Sequence, residues 1–332
     1  MVDELLSYAA EIAGKVNLII SEVVRGDEKR LYEASLHLLK AGGKRLRPLL
    51  TVLSARLFGL DEDIALYPAA SIELLHNFTL IHDDIMDRDD FRRGVPTVHK
   101  VYGEAMAILA GDLLFSKSYE AMLMLVGKVP DSLIVKALRE LTWAAVTVAE
   151  GQSLDMEFEE RDDVKMEEYF TMIFKKTAAL FKASAYIGGV LAGADDSDLV
   201  RICEFARSVG MAFQIRDDEL GLVGDEKVLG KPVFSDLREG KKTLLVIYAL
   251  NNVGNSEREL ILKNLGNARA SDEDLRRVAK IIVDSGALEF SNRVAEDYLR
   301  KGLTALDEIS AKDLKAKKLL RDFAVFLTKR SY

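Results

Sequence analysis

Asp83, Asp84 and Asp87 stand in the order D-D-x-x-D inside the run LIHDDIMDRDDFRRG. On an α-helix, positions 83 and 87 lie about 40° apart around the axis and one turn apart along it, so two carboxylates point the same way. Like charges at that spacing destabilise a bare helix unless water solvates them or a cation neutralises them. A solvated helix end is the simpler reading of any isolated D-D-x-x-D. Here the apolar run YPAASIELLHNFTLI precedes the acids and places them at the end of a buried element. A second pair, Asp217 and Asp218 in FQIRDDELGLVGDE, also follows an apolar helical run, ICEFARSVGMAF. Carboxylate sites with room for water suit magnesium, which leaves part of its shell to substrate phosphate oxygens. Glu73 and His76 form an E-x-x-H, which di-iron bundles use in pairs, but the chain has no second copy and iron is the poorer reading.

Bases stand where a metal-bound polyphosphate would need them. GGKRLRP carries Lys44, Arg45 and Arg47 at a helix-breaking glycine pair, and Arg92 and Arg93 follow the first acidic cluster. FKKT adds Lys175, Lys176 and Thr177, and a long polar run adds Lys231, Lys241 and Lys242. Arginine offers forked donors to phosphate oxygens and lysine a point charge. Gln152 and Gln214, the only glutamines in the chain, each fall in a candidate motif, EGQSLD and FQIRDD.

The elements that must hold these residues are helices. Only five prolines interrupt 332 residues, apolar side chains recur at helical rather than alternating spacing, and no repeat of 20 to 50 residues is visible. The expectation is an all-α fold: one domain over 1–332, a multi-helix bundle around a central active-site cavity. Breaks are expected at 41–48, 58–63, 88–97, 127–132, 192–198 and 223–242. The last is the longest and is a candidate lid. With 49% apolar residues, a sizeable core is available. The single cysteine, Cys203, excludes an intrachain disulfide and suits a reducing compartment, so the cytoplasm is the expected location. The start MVDELLSYAAEIAG reads as an amphipathic helix rather than a signal peptide, and no stretch has the uncharged length of a membrane span. A net charge of −8 with interspersed signs argues against nucleic acid as the main partner.

The order GGKRLRP, DDIMD with RRGVPT, GDLL, EGQSLD, FKKT, FQIRDD and GKPVFSDLREGKKT closely resembles the trans-type isoprenyl diphosphate synthases, with archaeal geranylgeranyl diphosphate synthases the nearest in pattern. The resemblance implies an all-α homodimer that joins isopentenyl diphosphate to an allylic diphosphate (dimethylallyl, geranyl or farnesyl) and releases diphosphate. It implies magnesium, three ions with substrate bound. It casts Asp83 and Asp87 as ligands beside Asp84, and Asp217 as a third-ion ligand supported by Asp218. Asp89 and Asp90 are left as solvated loop acids. It casts Arg92, Lys176, Lys231 and Lys241 as contacts to the allylic diphosphate, and Lys44, Arg47, His76 and Arg93 as the isopentenyl diphosphate site. Thr177 and Gln214 resemble polar groups near the developing allylic cation. The chain departs from the pattern at Gly221, where many members have a third acid, and Asp225 is the candidate to compensate. A terpene cyclase would share the acids but needs no isopentenyl site, and a non-catalytic subunit should have lost more of the motifs.

In the family, bulky residues just upstream of the first motif stop chain growth. Phe78, five residues before Asp83, with Thr79 and Leu75 beside it, resembles the arrangement that yields a C20 product, with some C15. The alternative for Phe78 is an ordinary core aromatic.

Overall fold

The structure, a computed structural model, describes residues 2–223, 234–267 and 269–328. It is all-α. The chain packs into two compact units. The first comprises Met1–Val146, Leu180–Arg207 and Gly302–Phe326, and the second Thr147–Ala179, Ser208–Lys301 and Leu327–Tyr332.

Helices α1 (Val2–Val23), α2 (Lys29–Lys40), α3 (Leu46–Leu57) and α4 (Glu62–Met86) open the first unit. A two-strand ribbon, β1 (Phe91–Arg92) and β2 (Val95–Pro96), leads into α5 (Val98–Tyr102), α6 (Glu104–Leu123) and α7 (Asp131–Glu159). The central helix of this unit is α4, packed against α1, α3 and α6. Asp61 caps its start by accepting from the Asp63 N–H at 2.8 Å. Ala65, Ala69, Ala70, Ile72, Leu74, Leu75 and Ile81 are wholly buried along it. Among the described residues it is the one helix long and apolar enough to cross a membrane by length and composition, yet 67% of that window is buried inside the protein, as a core helix requires.

Next come α8 (Met166–Ile173), a π-helical turn (Phe174–Ala178), α9 (Ala179–Leu191) and α10 (Asp196–Val223). The chain ends with α11 (Ser235–Glu239), α12 (Leu244–Asn252), α13 (Asn255–Asn264), α14 (Asp272–Asp284), α15 (Ala287–Asp307) and α16 (Leu314–Thr328). In the second unit, Phe158, Tyr169, Met172, Ile173, Met211, Ile215, Leu244 and Ile247 form one apolar cluster that binds the end of α7 to α8, α10 and α12. A neighbouring cluster around Leu222, Leu237, Leu245, Leu275 and Ile282 seats α11 and α14.

The expected breaks fall between helices, with two differences. The 88–97 stretch pairs with itself as the ribbon. In the described part of the candidate lid, α11 and its buried Leu237 stand where loop was expected. Asp225 and Lys231 lie outside the described residues.

Candidate functional site

The first acidic motif ends α4. The Asp87 N–H donates to the Asp83 carbonyl at 2.8 Å, so helical spacing carries through the whole motif. The last turn of α4 contains no base, and its unpaired carbonyls already make that end negative, so three carboxylates there call for a cation from elsewhere. Arg92 is one. Its Nε donates to Asp84, and its Nη2 lies 3.6 Å from Asp83 and 3.4 Å from Asp89. Burial raises the Asp84 carboxyl to about 6 against the pull of Arg92. Asp84 Oδ2 is buried without a hydrogen-bond partner. Asp89, expected as a solvated loop acid, is instead 14% exposed and paired with Arg92. Asp90 is the solvated one, 65% exposed with Lys100 at 2.6 Å.

The ribbon aims the two arginines. Phe91 pairs with Pro96 and Arg92 with Val95, leaving Arg93-Gly94 as a two-residue loop. Both loop residues have positive φ, 54° and 76°, the requirement of a type I′ turn. Arg93 donates to the carbonyls of Leu38, at 3.0 Å, and Gly42.

The remaining bases of this unit divide by burial. Lys44 is exposed, while Arg47 is partly buried with its guanidinium 4.8 Å over the Phe181 ring. Arg47 Nη1 lies 3.0 Å from His76 Nε2. Burial, and then the surrounding arginines, push His76 well below its ordinary value, so the ring is neutral and Nε2 accepts from Arg47. Arg45 is buried at 4% and bonds Glu73 at 2.9 Å, which removes it from the polyphosphate-binding bases. The same contacts dispose of iron at E-x-x-H, since Glu73 and His76 are both committed to arginines. Upstream of Asp83, Leu75 is fully buried and Thr79 Oγ1 donates to the His76 carbonyl at 2.8 Å. The Phe78 ring sits 4.8 Å from His82 and 5.2 Å from Phe115, whose ring is 5.3 Å from Tyr119.

In the second unit, Asp217 is exposed and Asp218 buried. Asp218 accepts from Tyr169 Oη at 2.7 Å and Gln214 Nε2 at 2.8 Å, and Gln214 Oε1 accepts from Thr177 Oγ1 at 2.7 Å. Burial, then the nearby Asp236, lift the Asp218 carboxyl to about 8. Thr177 and Lys176 belong to the π-helical turn, a distortion often found at functional positions. Lys176 Nζ donates to Asp155, the last residue of EGQSLD, at 2.5 Å. Gly151 of the same motif explains the close fit: a Cβ there would meet the backbone of Lys175 and Lys176, with the Lys175 carbonyl carbon at 2.7 Å. Gln152 is buried and its Nε2 has no partner. Lys241 pairs with Glu239 at 2.8 Å, and Lys242 is buried, donating to the carbonyls of Glu159 and Gly240 at 3.2 Å.

The glycine at position 221 faces another acid. A Cβ there would meet the carboxylate of Asp236, whose Cγ would lie 3.2 Å away. Sequence reasoning missed Asp236, Tyr169 and Asp155. Asp155 had a signal, as the acid closing EGQSLD. Asp236 and Tyr169 are linked to α10 only by folding.

A divalent cation suits both acidic motifs. Asp83 and Asp87 share a helix face at a negative helix end, and Asp84 keeps an unpartnered buried oxygen. Magnesium takes one or two carboxylates and draws its other ligands from water and phosphate, which fits paired acids of this kind.

The polyprenyl synthetase family's sequence profile matches residues 28–282. A geranylgeranyl diphosphate synthase of Sulfolobus acidocaldarius is 48% identical over 324 residues, 98% of each chain. A geranylfarnesyl diphosphate synthase of Aeropyrum pernix is 47% identical over 311 residues, 91% of this chain and 94% of that one. The crystal structure of geranylgeranyl pyrophosphate synthetase from Pyrococcus horikoshii superposes with a TM-score of 0.92 at 40% identity, covering 99% of both chains. With a matching profile and full-length relatives that share its fold, this chain belongs to the polyprenyl synthetase family of prenyltransferases.

Proposed function

We propose that the protein is a magnesium-dependent, chain-elongating prenyltransferase that condenses isopentenyl diphosphate with allylic diphosphates, head to tail, and releases mainly the C20 product geranylgeranyl diphosphate. The observation that carries this reading is the acidic end of α4 beside two arginines held by a type I′ ribbon. The same unit also carries the basic set Lys44, Arg47 and His76. A cyclase would not need that second set. The C20 product is supported by the geranylgeranyl diphosphate synthase that resembles this chain over 98% of its length.

The family uses a divalent metal. Asp83, Asp87 and Asp217 would hold magnesium, three ions when substrate is bound, supplying fixed positive charge against the departing diphosphate. Arg92, Lys176, Lys231 and Lys241 bind the allylic diphosphate and stabilise the negative charge that grows on it as the carbon–oxygen bond breaks. Lys44, Arg47, Arg93 and neutral His76 bind isopentenyl diphosphate and hold its double bond against the allylic carbon. Thr177 and Gln214 place oxygen dipoles near the allylic cation, and the Thr177–Gln214–Asp218–Tyr169 chain of hydrogen bonds fixes their orientation. Phe78, supported by Leu75 and Thr79, ends the space for the growing chain.

A second copy of the chain is the proposed partner. Ile108, Leu109 and Leu123 on α6 and Val135 and Val146 on α7 are about half exposed, an apolar surface suited to a homodimer. The half-buried thiol Cys203 suits a cytoplasmic location. The test is product sizing with labelled isopentenyl diphosphate and each allylic primer, with magnesium and with chelator. Magnesium-dependent C20 formation is expected. Diphosphate release without isopentenyl diphosphate would point to a cyclase, and no turnover with any primer would overturn the reading.

A further inference from the structure

Three backbone positions between α2 and α3 lie in the positive-φ region: Gly42 at 97°, Gly43 at 131° and Arg45 at 45°. Two are glycines, for which this conformation is ordinary, but Arg45 is strained there and must be held by its surroundings. Its side chain supplies the hold. Nε donates to Asn17 Oδ1 at 3.1 Å, Nη1 to the Gly42 carbonyl and Glu73 Oε1, both at 2.9 Å, and Nη2 to the Leu39 carbonyl at 2.8 Å. Arg45 and Glu73 side chains are each 2% exposed. Asn77 Nδ2 donates to the same Glu73 oxygen at 2.9 Å and helps to hold the carboxylate.

Arg93, also at positive φ, donates to the same Gly42 carbonyl from the ribbon. A Cβ on Gly43 would lie 2.8 Å from the Arg93 guanidinium carbon and 3.0 Å from Arg45 Nη1, so only glycine admits both. Two strained arginines therefore converge on one carbonyl, and the turn they fix carries Lys44 and leads directly into Arg47. A charge enclosed this completely cannot reach a diphosphate but sets where its neighbours stand.

We propose that Arg45 and Glu73 are positioning residues of the isopentenyl diphosphate pocket: their buried ion pair locks the Gly42–Arg45 turn so that Lys44, Arg47 and Arg93 meet one diphosphate. The proposal rests on the assignment of those three bases to isopentenyl diphosphate. Lysine at 45 keeps the charge but loses the fork, so it cannot bond Asn17, Glu73 and two carbonyls together. Glutamine at 73 keeps the shape and loses the charge.

The experiment measures kcat and both KM values for Arg45→Lys, Glu73→Gln and Arg47→Ala, with calorimetric titration of isopentenyl diphosphate alone. Arg45→Lys and Glu73→Gln are expected to raise the isopentenyl diphosphate KM and weaken its direct binding about ten-fold, leaving the allylic KM within about two-fold. Asn17→Ala removes only the Nε acceptor at an exposed residue, and it is expected to fold and to raise the same KM about three-fold. This variant carries the test if the buried substitutions fail to fold. Equal rises in both KM values, or unchanged isopentenyl diphosphate binding in variants where Arg47→Ala weakens it, would overturn the positioning role alone. No effect from Arg47→Ala either would overturn the pocket assignment beneath it.

Discussion

Replacing Phe78 by alanine tests the product-length assignment through a distance. Each added C5 unit buries about five carbons, a gain on the order of 4 kcal/mol at about 0.8 kcal/mol per methylene, so growth stops only where a wall makes the next unit cost more. Forcing even one or two methylenes into packed side chains costs about 1–3 kcal/mol, and five at once exceeds the gain. An isoprene unit advances the chain by four bonds of about 1.5 Å, roughly 5 Å after bond angles are allowed for. The ring of Phe78 is 5.2 Å from that of Phe115, and Phe115 is 5.3 Å from Tyr119. With Phe78 as the proposed wall and the growing chain running along this row of rings, removing one ring admits one unit before the next ring is met. Phe78→Ala is expected to shift the main product from C20 to C25, and Phe78→Ala with Phe115→Ala to C30. The assay is thin-layer or mass-spectrometric sizing after dephosphorylation, with kcat for the first condensation as control. An unchanged C20 product from an active Phe78→Ala enzyme would refute the wall. A direct jump of several units in the single variant would refute the ring-by-ring arithmetic.

Gly151→Ala places a methyl against the π-helical backbone at Lys175 and Lys176, which cannot swing aside as a side chain would; a loss of about 1–3 kcal/mol in denaturant unfolding and a lower kcat are expected. Gly221→Asp, which restores the common motif on paper, sets a second carboxylate against that of Asp236 and is expected to lower activity, and adding Asp236→Gly should recover much of the loss. Asp218 makes metal-free stability pH-dependent. Its folded pKa, about 8, lies above its unfolded value, so the folded state holds the extra proton between them and stability falls as pH rises from about 4 to 8. Urea midpoints in chelator across that range should decline, with the decline reduced in Asp218→Ala; a flat wild-type profile would contradict the buried carboxyl.

What the sequence disclosed depended on whether a property was local. The first motif was legible because its two carboxylates share a helix face by periodicity alone, and the apolar run before it implied the burial that α4 has. The ribbon was not, since two-residue strands leave no alternating pattern and the turn carries arginine where asparagine or aspartate is favoured. That arginine tolerates positive φ only because Leu38 and Gly42, 55 and 51 residues away in the chain, accept its protons. Arg45 misled for the same reason. Composition counts it as one of three bases in GGKRLRP, yet burial divides them, and burial follows from Glu73 lying 28 residues away on α4. Asp89 and Asp90 are adjacent and chemically alike, but only Asp89 lies within reach of Arg92. The glycine at 221 carried a signal of the opposite sense: an acid missing from a motif reads as lost function until Asp236, fifteen residues on, is found against it. Charge in such a site is assigned by the partners that tertiary packing delivers, so a motif names the groups available for chemistry and the fold decides which of them remain available to substrate.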